Sequence, residues 1–235
     1  MIHMPASSPA AKTDGQSPRQ ATIVLFDFDG TLVSGDNGTR MIFHIAAERW
    51  WPFVPMVLAA PLLLPLVFLP GTKNIGASGF LWLCTVGLDK KRLNRTLKRL
   101  AASIASRSDQ VRIDASWQRL LEHQRQGDRI VIVTGCWVKM AKKILHAMGL
   151  RDITVIGSRK HRFLGGYISK PHCYARHKLS CLAEHGIHPP FIIAYTDSAS
   201  DRHLLANSTR QVLVRPSLYT RKIISQQYPN VEILL

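Results

Sequence analysis

The sequence predicts an α/β fold: a parallel sheet covered by helices, with a separate helical segment inserted after the first strand. Three observations predict it. Short apolar runs of strand length alternate with stretches of helical spacing in the second half of the chain. Polar or acidic residues stand directly after three of those runs, where a parallel sheet gathers its ligands. Between the first run and the rest lies a stretch of different composition, first uncharged and then strongly basic.

Residues 1–20 are rich in Ser, Pro and Ala and contain no apolar run, so they read as a disordered leader without a secretory signal. The first strand is expected over Thr22 to Asp27 and ends in Asp27-Phe28-Asp29-Gly30-Thr31, where Gly30 permits a tight turn. Ser108 to Gln126 has helical spacing and stops at Gly127. Arg129 to Val133 reads as a buried strand ending at Thr134-Gly135, followed by a helix over Val138 to Met148 and a strand over Ile153 to Ile156. Tyr174 to Glu184 reads as helix. Phe191 to Tyr195 is a strand ending at Thr196-Asp197, Gln211 to Val214 the last strand, and Ser217 to Gln227 a closing helix. Such alternation implies helices on both faces of the sheet.

The inserted segment, residues 39–104, divides the remainder into 21–38 and 105–235. Within it Trp50 to Pro70 is a run of 21 residues without a charge, long enough for a membrane span. Its prolines Pro52, Pro55, Pro61, Pro65 and Pro70 argue against one straight helix. Asp89 to Leu100 reads as a basic amphipathic helix, with Leu93, Leu97 and Leu100 on one face, suited to an anionic bilayer surface. An ordinary helical cap whose apolar faces bury one another is the competing expectation.

The net charge of +16 attracts polyanions: nucleic acid, anionic lipid or phosphorylated small molecules. The basic residues are dispersed, no nucleic-acid motif is present, and a nucleic-acid binder remains only as the remote alternative. The four cysteines have neither CxxC nor zinc spacing and read as reduced thiols.

The chemistry concentrates at the strand ends. Asp27 and Asp29 stand two apart, and carboxyls so close repel unless a cation or a proton intervenes. Asp197 and Asp201 lie one helical turn apart after another strand, and Thr134 ends a third. Together Asp-x-Asp-Gly-Thr, Thr134 and the Asp197/Asp201 pair resemble the motifs of the haloacid dehalogenase superfamily. The resemblance implies a Rossmann-like core with a small, C1-type helical cap between its first two motifs. It implies Asp27 as nucleophile, Asp29 as general acid and base, and Thr134 and Lys178 as catalytic partners, with Lys170 the rival lysine. Gly30, Thr31 and Gly135 would bind phosphate. Magnesium would be held by Asp27, the Asp29 backbone carbonyl, Asp197 and Asp201.

The insert, with Gly165-Gly166-Tyr167 and the segment Cys173 to Lys178, further resembles the bacterial phosphatidylglycerophosphatases of the C type. That implies dephosphorylation of phosphatidylglycerophosphate to phosphatidylglycerol at the inner membrane, with the catalytic core on the cytoplasmic side. The alternative is a soluble phosphatase of a small phosphomonoester such as phosphoserine.

Overall fold

A computed structural model of the chain describes residues 22–69 and 71–235; the leader expected over residues 1–20 lies outside them. Among the described residues the chain runs through β1 (Ile23–Phe26), α1 (Asn37–Ala47), α2 (Phe53–Phe68), α3 (Lys73–Thr85), α4 (Lys90–Ala105), α5 (Ser108–Val111) and α6 (Asp114–Arg125). It continues through β2 (Arg129–Trp137), α7 (Val138–Ala147), β3 (Thr154–Ser158), β4 (Lys160–Phe163), β5 (Gly166–Ser169) and α8 (His177–Ala183). It closes with β6 (Phe191–Thr196), α9 (Arg202–Ala206), β7 (Ser208–Val214), α10 (Leu218–Gln227) and β8 (Glu232–Leu234).

The sheet has the order β3-β2-β1-β6-β7-β8 and every pairing in it is parallel. The strands of its middle, from Val24-Leu25-Phe26 to Val131-Ile132-Val133, are apolar on both faces because helices cover both. β1 lies between β2 on one side and β6 on the other, so the strand order reverses beside it. That reversal opens a crevice beyond the carboxyl ends of β1, β2 and β6.

Three local departures from the sequence reading have physical causes. The helix expected over 108–126 breaks into α5 and α6, because Arg112 bridges to Val33 and the Ile113 amide bonds to the Leu32 carbonyl. The helix expected from Tyr174 begins only at His177, since Ala175 takes a left-handed backbone (φ 49°) that cannot join a right-handed helix. The antiparallel β4–β5 hairpin was not foreseen: Lys160-His161-Arg162 carries no apolar alternation, and the hairpin is held instead to α3. There the Trp82 indole donates to the Phe163 carbonyl at 3.0 Å, and Thr85 accepts from the Tyr167 amide at 2.8 Å.

The insert is a helical layer over the crevice. α2 runs unbroken through Pro61 and Pro65 despite the amide bonds those residues remove. α3 approaches it closely because Gly76 lies against the Leu63 carbonyl and Val67, and Gly79 against the Leu63 side chain. Among the described residues no helix is long and apolar enough to cross a membrane. The basic helix α4 corrects a second expectation. Leu93, Leu97, Leu100 and Ile104 are buried in the main hydrophobic core, so its apolar face is not free for a bilayer. The exposed apolar side chains lie on α2 instead, at Val54, Val57, Leu58, Leu62 and Phe68.

Candidate active site

Asp27 follows β1 directly, and its amide bonds to the Tyr195 carbonyl at 2.9 Å, which ties the residue to the neighbouring strand. Gly30 completes the turn with φ +74°, and any side chain there would run into the Asp197 carboxyl. Lys178, in the first turn of α8, is only 2% exposed and reaches across the crevice. Its ammonium donates to Asp27 Oδ1 and to Asp201 Oδ2, each at 2.7 Å. Thr196 also donates to Asp201 Oδ2, at 2.8 Å. Burial alone would favour a neutral amine, but the carboxylates of Asp201 and Asp27 outweigh it and push the Lys178 pKa up.

The carboxyls respond in the opposite sense. Burial raises the Asp27 pKa well above the ordinary range, against the pull of Lys178 and with the help of Asp201 and Asp197. Burial likewise pushes Asp29 up to about 6 and Asp197 up to about 6. Asp29 is held from one side: the Asn37 backbone and side-chain amides donate to its Oδ1 at 3.0 and 2.7 Å. Asn37 is fully buried at the start of α1 and was missed in the sequence. Its signal there was slight, an Asp36 helix cap followed by a residue that commonly starts helices.

Asp27, Asp29, Gly30, Gly135, Lys178 and Asp197 line one cavity of about 470 Å³ at the sheet edge. Its far wall comes from the insert, with Met41 and Ile42 of α1 and Ala77, Ser78 and Leu81 of α3. Lys170, the rival lysine, sits exposed after β5 and does not line the cavity. Three of the expected site residues lie just behind the cavity lining. The Thr134 hydroxyl is fully buried, accepts the Cys136 amide at 2.9 Å and points toward Asp29 Oδ2 at 3.5 Å, outside the cavity lining. Thr31 is also buried and turns its hydroxyl to Asp197 at 3.4 Å. Asp201 lies beneath Lys178 rather than in the cavity, so it orients the lysine. The four cysteines are free and buried.

A doubly wound sheet with carboxylates at the ends of β1 and β6, a buried lysine between them and a helical cover defines a hydrolase of one particular kind. The chain belongs to the haloacid dehalogenase-like hydrolase family, which matches residues 24–206. Among solved structures it is similar to a protein of unknown function from Bordetella pertussis Tohama I, with 20% identity, TM-score 0.70, and 91% of this chain and 97% of that chain covered. It is also similar to a phosphoserine phosphatase seen as a phospho-aspartyl intermediate analogue (16% identity, TM-score 0.56, 92% and 94% covered). A third likeness is to cytosolic 5'-nucleotidase IIIB bound to cytidine (10% identity, TM-score 0.54, 91% and 80% covered). Comparison with curated proteins gives no match.

Proposed function

We propose that the chain is a magnesium-dependent phosphomonoester phosphatase that works through a phosphorylated Asp27. One observation carries the reading: Asp27, bonded to Lys178, shares a single cavity with Asp29 and Asp197. The donor set fits a magnesium ion. Four carboxyls, Asp27, Asp29, Asp197 and Asp201, gather around the single ammonium of Lys178, and Asp201 Oδ1 is buried without a hydrogen-bond partner. Among the described residues no three His, Cys, Asp or Glu side chains form a ready cation cage. Magnesium suits such a site, because it takes one or two carboxylates and completes its shell with water and substrate phosphate. Asp27, Asp197 and the Asp29 carbonyl would hold it, and it would supply charge neutralisation at the phosphoryl oxygens.

The protein's own groups account for the remaining chemistry. The Asp27 carboxylate attacks phosphorus and forms an acyl phosphate while the ester P–O bond breaks. Lys178 donates hydrogen bonds toward the phosphoryl group. Asp29, its pKa raised to about 6, gives its proton to the leaving oxygen. Water then attacks the Asp27 phosphate as Asp29 takes the proton back, and phosphate leaves.

The substrate read first is a small phosphomonoester, the alternative of the sequence reading, supported by the likeness to phosphoserine phosphatase. Lys178 is the only lysine or arginine among the described residues that line the cavity. The Arg40 guanidinium packs against Gly35 of that lining and is the guanidinium nearest to hand for a substrate carboxylate such as that of phosphoserine. The second reading is a lipid phosphate such as phosphatidylglycerophosphate, turned over at an inner-membrane surface. It is supported by the bare apolar face of α2 and by Met41, Ile42 and Leu81 in the cavity wall.

The test is magnesium-dependent phosphate release from phosphoserine, an aryl phosphate and phosphatidylglycerophosphate in mixed micelles, beside Asp27→Asn. Comparable or better turnover of the soluble esters supports the first reading, and a strong lipid preference supports the second. Release from none of them, or undiminished release by Asp27→Asn, sinks the phosphatase.

A further inference from the structure

A second polar cavity, of about 330 Å³, lies at the opposite end of α1 from Asp29. α1 starts at Asn37, which bonds Asp29, and its 11 residues place the far end about 16 Å away. Arg49, Arg92, Arg95 and Arg99 line this cavity with Glu48 and Thr96. Glu48 is held by the Arg99 guanidinium at 2.9 and 2.8 Å and by the Thr96 hydroxyl. Asp89 pairs with Arg92 at 3.6 Å. Four arginines less these two acids leave a local charge of +2.

Arg92 stands in the first turn of α4, after Lys90 and Lys91, and the Asp89 carboxylate caps that turn by accepting the Arg92 amide at 2.7 Å. That cap answers the positive end of the helix, so a further anion would be held by the guanidinium groups of the cavity. Arg49 is anchored, donating to the Val86 carbonyl at 2.7 Å, so its guanidinium is pre-positioned. It also lies 4.7 Å from the centroid of the Trp51 ring. Trp51 leads into the bare face of α2, together with Trp50, which is 76% exposed and held at φ 36°. Tryptophans beside cations, bordering an aliphatic surface, match the headgroup level of a bilayer.

We propose that this pocket between the end of α1 and the start of α4 holds the phosphate of an anionic phospholipid, seating the bare face of α2 against the bilayer. It rests on the reading that α2 meets a membrane. It does not require the cavity at Asp27 to turn over a lipid.

The test uses the full chain and flotation with phosphatidylcholine vesicles, with and without phosphatidylglycerol. Arg92→Gln/Arg95→Gln is expected to weaken binding to the anionic vesicles about thirtyfold, at roughly 1 kcal/mol per cation and 1.4 kcal/mol per decade. Its turnover of an aryl phosphate should stay unchanged. Arg221→Gln/Lys222→Gln on α10 removes the same charge elsewhere and should weaken binding less than about threefold. Equal loss in both pairs overturns the pocket and leaves only the general field. Unchanged binding by Arg92→Gln/Arg95→Gln overturns the pocket while the membrane reading stands. If the wild type ignores anionic vesicles, both fall. Release from the vesicles by inorganic phosphate, but not by chloride of equal ionic strength, is expected of a pocket that holds the lipid phosphate, and equal release by both salts would overturn it. Self-association through α2 in place of vesicle binding would assign that face to a second copy.

Discussion

The sheet edge and the α2 face depart from ordinary burial in opposite directions. At the edge, the ionisable side chains of Asp27, Lys178 and Asp201 are buried. On α2, Leu58, Leu62 and Phe68 are apolar and bare. Buried charges persist only where partners and preorganisation compensate their desolvation, as Lys178 does between two carboxylates. Exposed apolar surface persists where something else covers it or where it carries no structural load. The first departure is therefore strongly coupled to the rest of the fold, and the second is not.

Substitutions at the two places should expose that asymmetry. The largest effect is expected from Lys178→Met, which leaves Asp27 and Asp201 buried without their cation. A loss of about 3–5 kcal/mol in stability is expected from denaturant unfolding, with phosphate release abolished. Unaltered stability would mean that the lysine is not the compensating charge. Next comes a pair of identical truncations within the insert. Leu97→Ala, in the buried face of α4, should cost about 2–5 kcal/mol, whereas Leu62→Ala, 72% exposed on α2, should stay within about 0.5 kcal/mol. Comparable costs would show that the α2 face is packed in solution.

The smallest and most graded effect is in pH. Asp29 and Asp197 have folded-state pKa values near 6, raised by burial above the unfolded value of 3.8. The folded state thus binds protons that the unfolded state has already released. Their contribution is fully favourable below pH 4 and is lost as pH rises through 6. Chelator-treated protein should lose stability between pH 4 and 6.5, read as a falling midpoint of urea unfolding. Asp29→Asn should flatten part of that slope, and added magnesium should restore stability at the upper end. A stability that climbs steadily across the window would contradict the burial of these groups.

Much of the sheet edge was legible because strand ends and acidic spacing are local signals. Asp27, Asp29 and Asp197 each sit within three residues of the end of an apolar run, and the parallel order of the sheet brings them together. Asn37 was not legible, since its role depends on where α1 begins in space rather than on any pattern. Thr134 and Thr31 were named from their places after strands, and which carboxylate each hydroxyl faces, Asp29 or Asp197, depends on the packing of the turns. Within the insert the periodicity of α4 identified its apolar face, yet periodicity does not say what covers it. A layer of helices buried Leu93 and Leu97, and the uniformly apolar α2 became the outer element. β8 escaped notice because three residues hold too little pattern to read.

Gly76 and Gly79 let α3 lie so close to Leu63 and Val67 that α2 and α3 form one clasp. Ala77, Ser78 and Leu81, on the same stretch of α3, make part of the cavity roof over Asp27. The two glycines that set the spacing of α2 from α3 therefore also fix where the roof above the nucleophile stands, so the outermost helix and the innermost carboxylate share one spacer.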